Sequence, residues 1–410
     1  MRLKYLLRHV DERLVAPETQ LLSVSKTHGV VPRAEVSDTP GRAEDISNYK
    51  TCKIDDLVIN RMSAYQGALG IARQFGAISP DYMVLRMTKG IRPGFAGYLF
   101  KSHFMISEMS SRVKGIGSVD SGSVRTPRLN WSDLGQVEVD LPPTHKQDAI
   151  ADFLDRETAK IDALIAKQEQ LIVTAAERRQ ALISKAVTKG LDPTVPLKSS
   201  GNHWLGDIPE HWELKPLARI ASLNPESLGE NTDGDLEIEY VEISDVNRES
   251  GVSNSTTYRF ADAPSRARRL VKDGDVLVST VRTYLRAIGK ISELDGEHVL
   301  VASTGFAVLR SENVDPDFLV LALMAEHFVA RVEAESVGVS YPGINASTLL
   351  RFQLPVPPLR EQIEISSHLI ARLQKLDDLT EKAKKTVSVL GERRQALISA
   401  AVTGKLEVGV

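Results

Sequence analysis

The chain has a single cysteine, Cys52, among 410 residues. That excludes a disulfide framework and a cysteine-built metal site within the chain. No apolar run approaches the ~20 residues that cross a bilayer. The opening segment MRLKYLLRHVDERL returns to charge before it reaches signal-peptide length. A cytoplasmic protein without a membrane span is the expectation. Familiar catalytic signatures are missing too: no GxxxxGK(S/T) phosphate loop, no GxGxxG after a strand, no HExxH pair and no GxSxG elbow. Nor is there a basic excess. Net charge is −3, with 19 Lys+Arg against 15 Asp+Glu over residues 1–140 but 14 against 24 over residues 200–353. A non-specific nucleic-acid binder should be basic overall, whereas a specific reader with local basic loops remains compatible with these numbers.

What is present is a duplication. Glu177 to Thr188 reads ERRQALISKAVT, and 215 positions later Glu392 to Thr403 reads ERRQALISAAVT. The same offset carries Pro142, Pro143 and Gln147 onto Pro357, Pro358 and Gln362, and Ile150 and Leu154 onto Ile365 and Leu369. Such self-similarity marks a repeated structural unit. In each copy an alternating strand (Val137, Val139, Leu141; Phe352, Leu354, Val356) stops at a Pro-Pro pair that opens a helix. Apolar residues then recur at spacings of three, four and seven: Ile150, Leu154, Ile161, Leu164, Leu171, Ala175 and Leu182, then Ile365, Leu369, Leu376, Leu379, Ala383, Leu390 and Leu397, six of the seven at the same 215-residue offset. That is a heptad pattern over roughly 44 residues, about 65 Å of helix, and the two stripes are expected to bury against each other. Gly391 stands where the first helix has Ala176; tolerance within a long helix is the favoured reading over a bend or a close helix contact.

The globular segments read as mixed α/β. Leu57-Val58-Ile59 and Met83-Val84-Leu85 are strand-like, as are Asp275 to Val278 and Phe306 to Leu309 in the second copy. Here the offset drifts from 219 to 224, so loops have changed length between the copies while the helices have not. Residues 190–209, rich in Gly, Pro and Ser, form a linker. Its His203-Trp204, with His211-Trp212 just beyond, is read as tryptophans pinning the linker, since no ligand cluster surrounds the histidines. The organisation expected is a globular domain over 1–140, a helix over 141–190, linker and second domain over 191–353, and a second helix over 354–410. The fold class is α+β: two mixed α/β domains separated by two long antiparallel coiled-coil helices.

These motifs together resemble one family, the DNA sequence-specificity subunit of type I restriction–modification systems. LPPTHKQDAIADFL and LPVPPLREQIEISSHL, the twin ERRQALIS…AVT helix ends and WLGDIPEHWELKPL carry the resemblance, which covers nearly the whole chain. No WLGDIPEHW-like segment precedes the first globular region, a departure from the pattern. The resemblance implies two target-recognition domains that each read half of a split, asymmetric double-stranded DNA site. It implies two modification (methyltransferase) subunits docked on the helices and ATP-dependent restriction subunits added to them. S-adenosylmethionine, ATP and Mg2+ would then belong to the partners, with no cofactor, metal or catalytic residue in this chain. Readers on one face of B-DNA lie about 34–36 Å apart, a span that helices of this length accommodate.

Arginine suits guanine, and Asn or Gln suits adenine, in the major groove. Candidate DNA-contacting residues in the first domain are Arg61, Tyr65 and Gln66 in one loop and Ser121, Ser123 and Arg125 in another. In the second domain they are Arg282, Tyr284 and Arg286, then Ser340 and Tyr341. Arg266, Arg268, Arg269 and Lys272 form a dense basic cluster that could meet phosphates. Arg178, Arg179, Arg393 and Arg394 repeat with the helices, which suits docking of partner subunits better than sequence reading. Two other readings stay open: a coiled-coil adaptor that binds no DNA, and an enzyme with an unrecognised site.

Overall fold

The computed structural model describes residues 1–13, 18–36, 48–113, 128–247, 251–292 and 298–409. Two compact units result. Met1–Glu169 with Lys384–Val410 make the first, and Gln170–Ala383 the second. Each unit therefore holds one globular segment together with one end of each long helix.

The globular parts share a sheet topology. In the first unit β1 (Leu7–Val10), β2 (Leu57–Asn60), β3 (Leu69–Ile71) and β4 (Tyr82–Met87) form an antiparallel sheet in the order β1-β4-β2-β3. In the second unit β5 (Ala221–Leu223), β6 (Val276–Ser279), β7 (Ile288–Lys290) and β8 (Phe306–Ser311) repeat it as β5-β8-β6-β7. The central strands are continuous β-branched and leucine runs because both their faces are buried. Leu57 and Ile59 enter one core with Leu3, Phe95 and Phe100, while Val58 and Val84 enter another with Val24, Cys52 and Ile78. Val276 and Val278 against Leu277 divide in the same way. The second unit adds a four-stranded sheet of Thr256–Arg259, Glu237–Val241, Val299–Ser303 and Ala267–Leu270, whose middle pair is parallel.

One charged pair locks each shared sheet. Arg86 on β4 grips Asp56 through two hydrogen bonds of 2.9 Å, and its third arm reaches Glu12 at 2.9 Å. Arg310 on β8 grips Asp275 at 2.8 Å twice and Glu226 at 2.6 Å. The aspartates are buried, at 1% exposure for both residues, and such a charge is tolerable only when paired and fully bonded.

A corner of two short helices follows each sheet: α1 (Pro93–Lys101) and α2 (His103–Arg112) in the first unit. Then come the long helix α3 (Thr144–Lys189), α4 (Pro316–Met324) and α5 (Glu326–Ala334) of the second unit's corner, and the other long helix α6 (Leu359–Val402). Pro93 and Pro316 open their helices at the first turn, where a missing N–H costs nothing. The long helices, 46 and 44 residues, match the heptad reading.

The repeated motif residues dock these corners. Gln147 and Gln362 are buried at 0% and 2% exposure. The Gln147 oxygen accepts the Arg92 N–H ahead of α1 at 2.8 Å, and its nitrogen donates to Gly90 O and Pro142 O at 3.1 and 2.9 Å. The Gln362 oxygen accepts the Asp315 N–H ahead of α4 at 2.8 Å, and its nitrogen donates to Pro357 O at 2.8 Å. At the far helix ends Gln395 donates to Lys101 O (2.7 Å) and Ser399 Oγ accepts the His103 N–H (3.0 Å). Gln180 and Ser184 do the same for Met324 O (3.2 Å) and the Glu326 N–H (3.0 Å). The Gln and Ser of ERRQALIS thus satisfy backbone groups that helix ends leave orphaned.

The helices run antiparallel within each unit. Arg179 pairs with Asp377 at 2.6 Å, and Arg394 with Asp162 at 2.8 Å, residues related by the 215-residue offset. The stripes bury against each other as expected, and at the helix ends the globular cores cover them too. Ile150 and Leu154 join the first unit's core with Ile398, Ala401 and Val402. Ile183, Ala186, Val187, Ile365, Leu369 and Leu373 join the second unit's. At these ends each long helix packs on the other and on the globular core together, and Ile161, Ala175 and Ala383 between the ends are buried as well. Leu164 and Leu379, both in the stripe, are instead exposed at 47% and 40%.

Gly391 is exposed, and a Cβ there would meet nothing within 4 Å, which agrees with tolerance rather than close contact. Trp212 is fully buried, with its indole N–H on Glu361 at 3.1 Å, and His211 meets the same carboxylate at 2.8 Å. Trp212, just past the linker, is thus anchored as expected, while Trp204 within the linker is half-buried. Among the described residues no group of three or more His, Cys, Asp or Glu could hold a metal, and no helix is long and apolar enough to cross a membrane.

Candidate nucleic-acid interface

In the second unit β6 ends at Ser279 and the chain turns through Thr280–Arg286. Arg282 (φ 52°, ψ 49°) and Arg286 (φ 51°, ψ 36°) flank the single 3-10 turn Thr283–Leu285 in the left-handed region. That region costs a residue with a Cβ about 1–2 kcal/mol, so the surroundings must over-determine the shape. They do. Arg286 turns inward to Glu333 at 2.7 and 2.8 Å and to Glu326 at 3.3 Å. Thr283 Oγ1 donates to Ser336 Oγ at 2.8 Å. Val337 and Gly343 exchange backbone hydrogen bonds at 2.8 and 3.0 Å, and the Ile344 N–H donates to Thr280 O at 2.9 Å. The loops 280–286 and 336–343 are therefore one composite tip.

Four of the five expected residues lie on its surface. Tyr284 and Tyr341 are 54% and 69% exposed, and Arg282 and Ser340 are exposed beside them. The Arg282 guanidinium lies 5.3 Å from the centre of the Tyr341 ring and, among the described residues, makes no hydrogen bond or ion pair. Its five donors are open to a base edge or a phosphate. Arg286 is not, because its fork is filled by carboxylates. Val337 and Val339, at 81% and 101% exposure, extend the same tip; sequence reading passed them over because valine beside Tyr341 looks like core.

The first unit has the corresponding turn after β2. Gly67 (φ 81°) closes the 3-10 turn Ala64–Gln66 in a conformation that glycine adopts freely. Arg61 holds the base of this loop, donating to Leu129 O at 2.9 Å and Asn130 Oδ1 at 2.6 Å. Tyr65 is half-buried, and Gln66 is exposed and donates to the Tyr65 hydroxyl at 3.2 Å. Ser121, Ser123 and Arg125 lie outside the described residues.

The basic cluster is partly engaged inside its own domain. Lys272 bonds Glu226, the carboxylate that also receives Arg310. Arg268 stacks on Phe260 at 4.7 Å and donates to Ala267 O at 3.0 Å, and Arg269 buries its Nε. Arg266 stands exposed. Of the helix arginines, Arg178 and Arg393 point to solvent, while Arg179 and Arg394 are half-buried in their ion pairs. The helix-end polar residues Gln180, Ser184, Gln395 and Ser399 went unassigned in the sequence, although their repetition at 215 positions was the available signal.

Comparison with known proteins adds a family-level context. Residues 209–388 match the model of the type I restriction modification DNA specificity domain. The type I restriction enzyme MjaVIII specificity subunit of Methanocaldococcus jannaschii is 24% identical over 317 residues, 76% of this chain and 70% of that protein. The EcoDI specificity subunit of Escherichia coli is 23% identical over 385 residues, 89% and 81% of the two chains. Among solved structures, the HsdS subunit from Thermoanaerobacter tengcongensis matches with a TM-score of 0.50 at 17% identity, covering 99% of this chain and 96% of that one. A chain from a study of complex assembly and conformational transition of the type I R-M system matches at 0.61 and 18% identity, covering 99% and 100%. These two likenesses show the shared fold.

Proposed function

We propose that this chain, a member of the type I restriction–modification DNA specificity family, reads a bipartite, asymmetric double-stranded DNA sequence. Each recognition domain takes one half-site, and the chain recruits two modification subunits and the restriction subunits. It supplies no catalytic group of its own. S-adenosylmethionine, ATP and Mg2+ are the partners' cofactors, and the complex works in the cytoplasm. The observation that carries this reading is duplication with divergent tips. Sheet order, charged lock, glutamine clamp and helix corner recur in both units. The loops after β2 and β6 differ in sequence and in what their arginines bond. A duplicated scaffold with unlike reading surfaces suits an asymmetric target.

The exposed Leu164 and Leu379, 215 positions apart, are an apolar contact offered once per unit, which suits docking of two like subunits. Arg282 is the residue placed best to read a base. In the assembled modification complex, Arg282→Ala should weaken binding by ~1–3 kcal/mol through one base position of one half-site. Equal weakening on every sequence would make Arg282 a phosphate contact. Unchanged binding would remove this tip from the interface.

A further inference from the structure

The loop bearing Tyr65 and Gln66 forms one wall of an open cleft of about 770 Å3 within the first unit. Lys26 at the tip of the 22–32 hairpin and Lys101 at the α1–α2 corner also line it, with Asp162, Glu169 and Arg394 on the long helices. Arg394 and Asp162 neutralise each other at 2.8 Å. Among the described residues the ammonium groups of Lys26 and Lys101 make no hydrogen bond or ion pair, which leaves two cations lining the cleft with Glu169. Lys101 is half-buried, and burial, followed by the nearby Arg394, lowers its pKa. An ammonium withdrawn from water without a bonded partner is unfavourable.

The duplication shows that the corner does not need it. Met324 ends α4 where Lys101 ends α1, its carbonyl accepts from Gln180 as that of Lys101 accepts from Gln395, and it is 6% exposed. Stability alone favours the methionine, so the lysine in the first unit answers to something that enters the cleft.

We propose that this cleft seats one backbone phosphate of the DNA, gripped by Lys101 and Lys26, beside the bases that Tyr65 and Gln66 face. The seat rests on the DNA-reading function proposed above, and at the equivalent helix end the second unit carries Met324 in place of Lys101.

The test is the salt dependence of binding to a duplex of random sequence, measured on the full chain assembled with its modification subunits. Each phosphate contact contributes ~0.9 to the slope of log affinity against log salt. K101M, which installs the residue the second unit already carries, should lower the slope by about one such contact. K101R should keep the wild-type slope. Should K101M fail to assemble, K26M on the exposed hairpin tip should show the same loss. A normal wild-type slope that both methionine variants leave unchanged overturns the seat alone. A wild-type complex without salt-dependent binding overturns the DNA reading itself. Weakened subunit assembly with an unchanged slope would overturn the seat by assigning the cleft to an acidic group of a partner.

Discussion

Replacing Gln147 by leucine removes one side chain of the repeated glutamine clamp while keeping its approximate volume. Three bonds at the edge of the core are lost, those to the Arg92 N–H and to the carbonyls of Gly90 and Pro142. An orphaned buried donor costs ~1–3 kcal/mol, and a carbonyl that retains a second lone pair costs less. A loss of about 3 kcal/mol follows. For a unit of this size each kcal/mol shifts the melting temperature by ~2–4 °C, which gives a fall of about 6–12 °C. The counterpart Gln362→Leu should cost less, about 2 kcal/mol. Only the Asp315 N–H and Pro357 carbonyl lose bonds there, and Asp315 caps its own helix by accepting the Phe318 N–H at 2.8 Å. Scanning calorimetry of the full chain with hydrogen exchange at the first turns of α1 and α4 would locate each loss. Two variants within about 1 kcal/mol of wild type would refute the clamp as the reason this glutamine is repeated.

Three other outcomes are expected. Gly391→Ala should raise stability by up to ~1 kcal/mol in urea melts, since its Cβ enters open space on a helix. The Cys52 thiol, fully buried and pushed up to about 11 by burial, should resist iodoacetamide at pH 8 in the native protein and react on unfolding, as mass spectrometry would show. His327 has both ring nitrogens buried without a bonding partner, and burial lowers its pKa from 6.5 to about 4. The unfolded chain then binds the extra proton between those values. Stability is full above about pH 6.5 and falls by at most ~3 kcal/mol as the pH drops towards 4; urea melts of His327→Phe should lack that share of the slope.

Much of the architecture was legible because it is repeated and periodic. Identity at a fixed offset located both helices, and alternation before Pro142 and Pro357 located their starts. Heptad spacing also suggested that Leu164 and Leu379 were buried, yet spacing alone cannot tell a coiled-coil seam from a face left for another chain. The roles of Gln147 and Ser399 were not legible, since their partners at Arg92 and His103 lie about 55 and 296 positions away and a lone polar residue carries no long-range address. Among the candidate readers, Arg282 and Arg286 look alike in sequence. Only the carboxylates of Glu326 and Glu333, brought in from α5, separate the open guanidinium from the filled one. The same holds for Lys272, whose partner Glu226 comes from a distant strand end.

The central claim, that this chain sets which DNA sequence its complex modifies, is tested most directly by mapping adenine methylation across the native genome with and without the gene, the partner subunits being expressed in both. The account predicts that one split, asymmetric motif loses its methylation when the gene is removed and regains it on complementation. An unchanged map would contradict the account and leave the chain a structural adaptor.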